Sequence, residues 1–120
     1  MQKVFGRYIR KKRLALLAKD STYSLRQVAD KIGVEPSFLS KVERCLTPPP
    51  SEARIVALAE ALGEDADLLL GLAGRVSSDV QKTIIKRPML FAQLVRQLKN
   101  APNTGVSNMV KEARAKYGSG

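Results

Sequence analysis

The segment Ser24–Arg44, SLRQVADKIGVEPSFLSKVER, concentrates the side chains with the most definite chemistry. Ser37 and Lys41 are four apart, so on a helix a hydroxyl and an ammonium share one face. Pro36, Ser40 and Arg44 lie on the same outward side. This is hydrogen-bonding and charge chemistry, not bond cleavage. The chain has no His, no Trp and a single Cys. Histidine-assisted serine or cysteine nucleophiles are excluded, as are Cys/His zinc sites and an intrachain disulfide. There is no glycine-rich phosphate loop, and the acidic residues Glu60, Glu64, Asp65 and Asp67 lack the spacing of a calcium loop. No catalytic residue, metal or cofactor is expected, and the chain reads as a non-enzyme.

Those side chains can face outward only on a braced helix, and apolar spacing supplies helices nearly throughout. Val4, Tyr8, Leu14 and Leu17 predict a first helix over residues 4–18, broken by the polar stretch Lys19–Tyr23. Ser24 caps a second, Leu25–Ile32, with Val28, Ala29 and Ile32 on one face. Gly33 ends it in a left-handed conformation, and Pro36 opens a third with Phe38, Leu39 and Val42 inward. Ala29 is small where the two helices approach, Val34 plugs the gap under the turn, and Leu39 and Val42 anchor the third helix. These are the requirements of a helix-turn-helix. Thr47–Pro50 is an extended loop. Ser51 caps a fourth helix, with Ile55, Leu58, Ala59 and Leu62 buried and Gly63 its stop. Asp65 or Asp67 opens a short fifth, Leu68–Ala73, stopped by Gly74. Two short helices follow, Val80–Lys86 and Met89–Lys99. Asn100–Gly120 is expected to be mobile, with at most a marginal helix near Asn108–Lys116. The expected fold is all-α: a five-helix domain over 1–74, a helical extension over 75–100 and a mobile basic tail over 101–120.

Charge names the partner class. Twenty-one Lys+Arg against eleven Asp+Glu give +10 over 120 residues. Residues 1–20 carry seven basic residues and one acidic, whereas 51–74 carry one and five. Separate surfaces are implied, with nucleic acid the leading partner and an anionic membrane surface second. No run is apolar for the ~18 residues a span requires, and a reduced, cytoplasmic setting is the default. The run Arg10–Arg13 reads equally as a solvated helix face or a DNA-backbone contact. Cys45 reads as a small, half-exposed side chain in preference to a redox switch.

Phe5 to about Leu70 resembles the lambda repressor and Cro-like family of helix-turn-helix regulators, also called the XRE family. The resemblance is carried by FGRYIRKKR, by the Ser24–Arg44 segment, and by PPSEARIVALAEALG followed by DADLLL. It implies a repressor on a palindromic operator, bound as a homodimer, occluding a promoter and possessing the family habit of autoregulation. Glu35, Pro36, Ser37 and Lys41 fall at its base-contacting positions, and Ser24, Arg26, Gln27, Ser40 and Arg44 at phosphate-contacting ones. Arg13 and Glu43 match its ion pair between first and third helices. Leu25 replaces a common phosphate-binding Gln, Glu35 a common Ser or Thr cap, and Cys45 a common Gly. The extension resembles one found in small family members. Its apolar residues exceed what two short helices can hide, so a dimer interface is expected from Leu69, Leu72, Leu90, Phe91, Leu94 and Leu98. The rival reading is a protein-interaction module, such as an antitoxin or anti-activator, working through the C-terminal helices. A protein partner or a peptidase that releases the regulator is left open. Six aromatics without a basic sheet motif argue against single-strand RNA binding.

Overall fold

The computed structural model describes residues 2–117. The described residues form eight α-helices and no strand: α1 Gln2–Leu17, α2 Leu25–Ile32, α3 Pro36–Glu43, α4 Glu52–Leu62, α5 Ala66–Leu72, α6 Ser78–Lys86, α7 Pro88–Asn100 and α8 Asn103–Tyr117. A 3₁₀ turn, Ser21–Tyr23, links α1 to α2. The all-α expectation holds, and in the tail, where at most a marginal helix near Asn108–Lys116 is expected, α8 runs over Asn103–Tyr117.

The chain divides into two compact units, the first ending at Ser78 and the second starting at Asp79. Polar contacts tie the residues that follow α5 back to the loop before α4 and to its first turn. Arg75 donates from both terminal nitrogens to the carbonyls of Pro49 and Pro50. Ser78 donates its N–H and its hydroxyl to the Glu52 carboxylate.

The core of the first unit draws on all five of its complete helices: Phe5 and Ile9 of α1, Val28, Ala29 and Ile32 of α2, Leu39 and Val42 of α3, Ile55, Leu58, Ala59 and Leu62 of α4, and Leu69 and Leu70 of α5. The α1 face is a correction. Val4 and Leu14 are exposed, and the inward stripe is Phe5, Ile9 and Arg13, rotated from the expected one. That stripe carries a charge where a fully apolar pattern would be sought.

The helix boundaries follow from backbone accounting. Ser24 accepts from the N–H of Gln27 and Ser51 from that of Arg54, each capping its helix. At the other ends, Gly33 (φ 74) and Gly63 (φ 65) are left-handed. In each case the N–H of the following residue returns to a carbonyl five positions earlier, Val34 to Ala29 at 3.0 Å and Glu64 to Ala59 at 2.8 Å. This pairing satisfies carbonyls the last turn would orphan.

In the second unit neither α6 nor α7 contains a buried residue. On α7, Leu90, Leu94 and Leu98 recur every four residues and are 57%, 62% and 66% exposed.

Candidate nucleic-acid interface

Between α2 and α3 the chain turns within three residues. Gly33 is required there by its φ of 74, which side-chain-bearing residues avoid. The end of the flexible Arg54 side chain lies over it, with Nη1 2.5 Å from where a Cβ would stand. That guanidinium donates to the Ile32 carbonyl at the end of α2. Val34 is half-buried and packs against the core under the turn.

The sides of α3 have different fates. Leu39, Val42 and Glu43 are buried, whereas Glu35, Ser37, Lys41 and Arg44 are exposed and Pro36 and Ser40 half-buried. Ser37 and Lys41 therefore stand together on the outward face. Glu35 is the N-cap residue but makes no side-chain cap bond, leaving its carboxylate available. Pro36 occupies the first turn, where its missing N–H costs nothing.

Leu39 and Val42 seat α3 on the core, and a buried ion pair ties its inner side to α1. Arg13 donates from Nε to Oε2 of Glu43 at 2.6 Å and from Nη2 to Oε1 at 2.8 Å. Nη1 donates to the Tyr23 carbonyl at 3.2 Å. Arg13 is 6% exposed and Glu43 5%. A two-pronged bond at that burial fixes the rotation of α3 about its axis as well as its distance from α1. Its net contribution to stability is small, since desolvating two charges offsets most of their attraction.

The end of α3 departs from the pattern of α2 and α4. The left-handed residue is Cys45 (φ 63), and the N–H of Leu46 returns to the Lys41 carbonyl at 2.8 Å. A thiol-bearing residue thus adopts a conformation suited to glycine. Close by, α1 crosses α3 at Gly6, where a Cβ would come within 2.3 Å of the Val42 carbonyl oxygen and 2.9 Å of the Cys45 sulfur. Sequence reasoning missed Gly6. The available signal was a glycine inside an otherwise helical run, which marks a close approach.

The expected phosphate contacts are arranged around the same face. Ser24 is engaged in capping α2, Arg26 and Gln27 are exposed on its first turn, and Arg44 donates from Nε to the Ser40 hydroxyl at 3.2 Å. The basic run of α1 is sorted by its surroundings. Arg13 is buried in the pair, Lys12 lies 4.0 Å from Glu64, and Arg10 and Lys11 are exposed. Glu64 also accepts from the Tyr8 hydroxyl at 2.7 Å. That bond and the Asp65 N–H hold the Glu64 carboxyl below its ordinary range, and the same bond, with burial, raises the Tyr8 phenol.

Of the residues expected at a dimer interface, Leu69 is a correction. It is 0% exposed within its own unit and has no surface to offer a second subunit. Leu72 is half-buried on α5, and Leu90, Phe91, Leu94 and Leu98 are exposed on α7. Among the described residues no His/Cys/Asp/Glu group could hold a metal, and no helix is long and apolar enough to cross a membrane.

No curated protein and no solved structure matches the chain at a significant level. Residues 5–71 match the family model for the helix-turn-helix domain. The match runs from the first core residue of α1 into the last turn of α5, takes in the capped turn and the exposed face of α3, and covers more than half of the chain, which therefore belongs to this family of DNA-binding helix-turn-helix domains.

Proposed function

We propose that the protein is a homodimeric, sequence-specific transcriptional regulator that represses by occupying a palindromic operator. The observation that carries this reading is the outward face of α3, where Glu35, Ser37 and Lys41 are exposed on a helix braced from behind by the Arg13–Glu43 pair. On DNA, Lys41 donates to guanine O6 or N7, Ser37 donates or accepts, and Glu35 accepts from cytosine N4. Pro36 approaches the base edges from the start of the helix. Ser24, Arg26, Gln27, Ser40 and Arg44 contact phosphates and set register without reading sequence. A dimer brings two such helices to successive major grooves, about 34 Å apart. Leu90, Phe91, Leu94 and Leu98 of α7, with Leu72 of α5, supply apolar surface for it.

Two measurements test this together. Mobility shift with DNA upstream of the protein's own gene should give a specific complex tighter than random DNA by at least about 10³. Mass in solution should be twice the 13.2 kDa of one chain and fall to one chain in Leu94→Lys. A specific-to-random ratio near one contradicts the regulator reading. A single-chain mass with a second polypeptide co-purifying on α7 favours the alternative, an interaction module whose C-terminal helices grip a protein partner.

A further inference from the structure

Alongside the recognition helix, α1 and the end of α3 line an open cleft of about 770 Å³. Arg7, Arg10, Lys11 and Arg44 line it. The first three, with Leu14, fall at spacings of three and four on α1, so they form one stripe. The carboxylate on its wall, Glu43, is taken up by Arg13. Like charges at such spacings destabilise a bare helix, and the four cations meet on a concave surface that concentrates their field. Leu14 and Leu46, 41% and 64% exposed, add apolar wall beside them.

We infer that this cleft is a phosphate-recognition site and that on DNA it holds backbone phosphates beside the groove entered by α3. Arg44 joins the two surfaces, since it ends α3 and lines the cleft. The exposed leucines lie against sugar carbons between phosphates. The inference rests on the DNA-binding reading above, and it adds Arg7, Arg10 and Lys11 to the residues that grip the duplex.

The test titrates full-length protein onto a random-sequence duplex over a salt series, which needs no operator because non-specific affinity is electrostatic. Each phosphate contact contributes about 0.9 to the slope of log K against log salt. Arg7→Ala/Arg10→Ala/Lys11→Ala should lower that slope by about 2 to 3. Lys82→Ala/Lys86→Ala/Lys99→Ala, which removes the same charge from α6 and α7, should lower it by less than about 1. Cys45 lines the cleft and is the chain's single cysteine, so its alkylation reports on the site. Saturating duplex should slow that alkylation several-fold. Equal slopes for wild type and the cleft variant, or equal falls for both variants, overturn the inference and leave the DNA-binding reading standing. Protection of Cys45 by inorganic tripolyphosphate but not by duplex also overturns it, assigning the cleft to a free phosphorylated ligand. A wild-type chain that binds no duplex at any salt fails the DNA-binding reading itself, and this inference with it.

Discussion

Replacing Arg13 by Met removes three donors at once. The Glu43 carboxylate, 5% exposed, loses bonds of 2.6 and 2.8 Å, and the Tyr23 carbonyl loses one of 3.2 Å. A carboxylate left buried without its partner costs about 3–5 kcal/mol. For a domain of this size each kcal/mol moves the midpoint by about 4–8 °C, so a fall on the order of 20 °C is expected. The double variant Arg13→Met/Glu43→Leu removes both charges and keeps the volume. It should lie within about 1 kcal/mol of wild type, because the desolvation cost disappears with the attraction. Glu43→Leu alone should fall between them, since a long guanidinium stem can carry its charge toward water. Urea unfolding of the full chain, followed by far-UV circular dichroism at pH 7, completes the cycle. The double variant should also bind specific DNA more weakly than its stability alone implies, having lost the two-pronged bond that sets the rotation of α3. A double variant as unstable as Arg13→Met, or an Arg13→Met cost below about 1 kcal/mol, would refute the assignment of this pair as the brace.

Gly6→Ala gains helix propensity of about 1 kcal/mol but drives a Cβ to 2.3 Å from the Val42 carbonyl oxygen. Overpacking against backbone should win, with a net loss of about 1–3 kcal/mol in urea unfolding, and a raised midpoint would contradict the close crossing of α1 and α3. Tyr8→Phe probes the bond from the Tyr8 hydroxyl to Glu64. A carboxyl with a lowered folded pKa contributes stability above its unfolded value and loses it as pH falls through the folded one, and a raised phenol loses its contribution as pH rises through its own. The advantage of wild type over Tyr8→Phe should therefore be full between about pH 5 and 9 and shrink at both extremes. A gap unchanged from acid to alkali would count against that bond.

Much of the fold is legible in residues that act locally. Ser24, Gly33, Pro36, Ser51 and Gly63 each dictate a start or a stop from their own chemistry, and the structure places caps and left-handed residues where those types predict them. What escaped depends on partners distant in sequence. The inward face of α1 holds Arg13, so its apolar pattern is interrupted at the residue that pairs with Glu43, thirty positions away. Gly6 shows its purpose only against the end of α3, and Arg54 only over Gly33. Leu68, Leu69 and Leu70 are adjacent on a seven-residue helix, too short for periodicity to decide which turn inward. The structure buries Leu69 and Leu70 and leaves Leu68 43% exposed. In the tail, Val106, Met109 and Val110 hold helical spacing despite the glycine at 105, and α8 extends over fifteen residues where a shorter helix was expected.

Discrimination between DNA sites is assigned to the outward face of α3. It is checked by selecting bound duplexes from a random library with the full chain and repeating the selection with Ser37→Ala and Lys41→Ala. The predicted result is a two-fold symmetric site with half-sites one helical turn apart. Each variant should relax preference at its own position in each half-site, losing about 1–3 kcal/mol of discrimination there. Failure of the wild-type chain to enrich any sequence, or enrichment of the same sequence to the same degree by both variants, would contradict it.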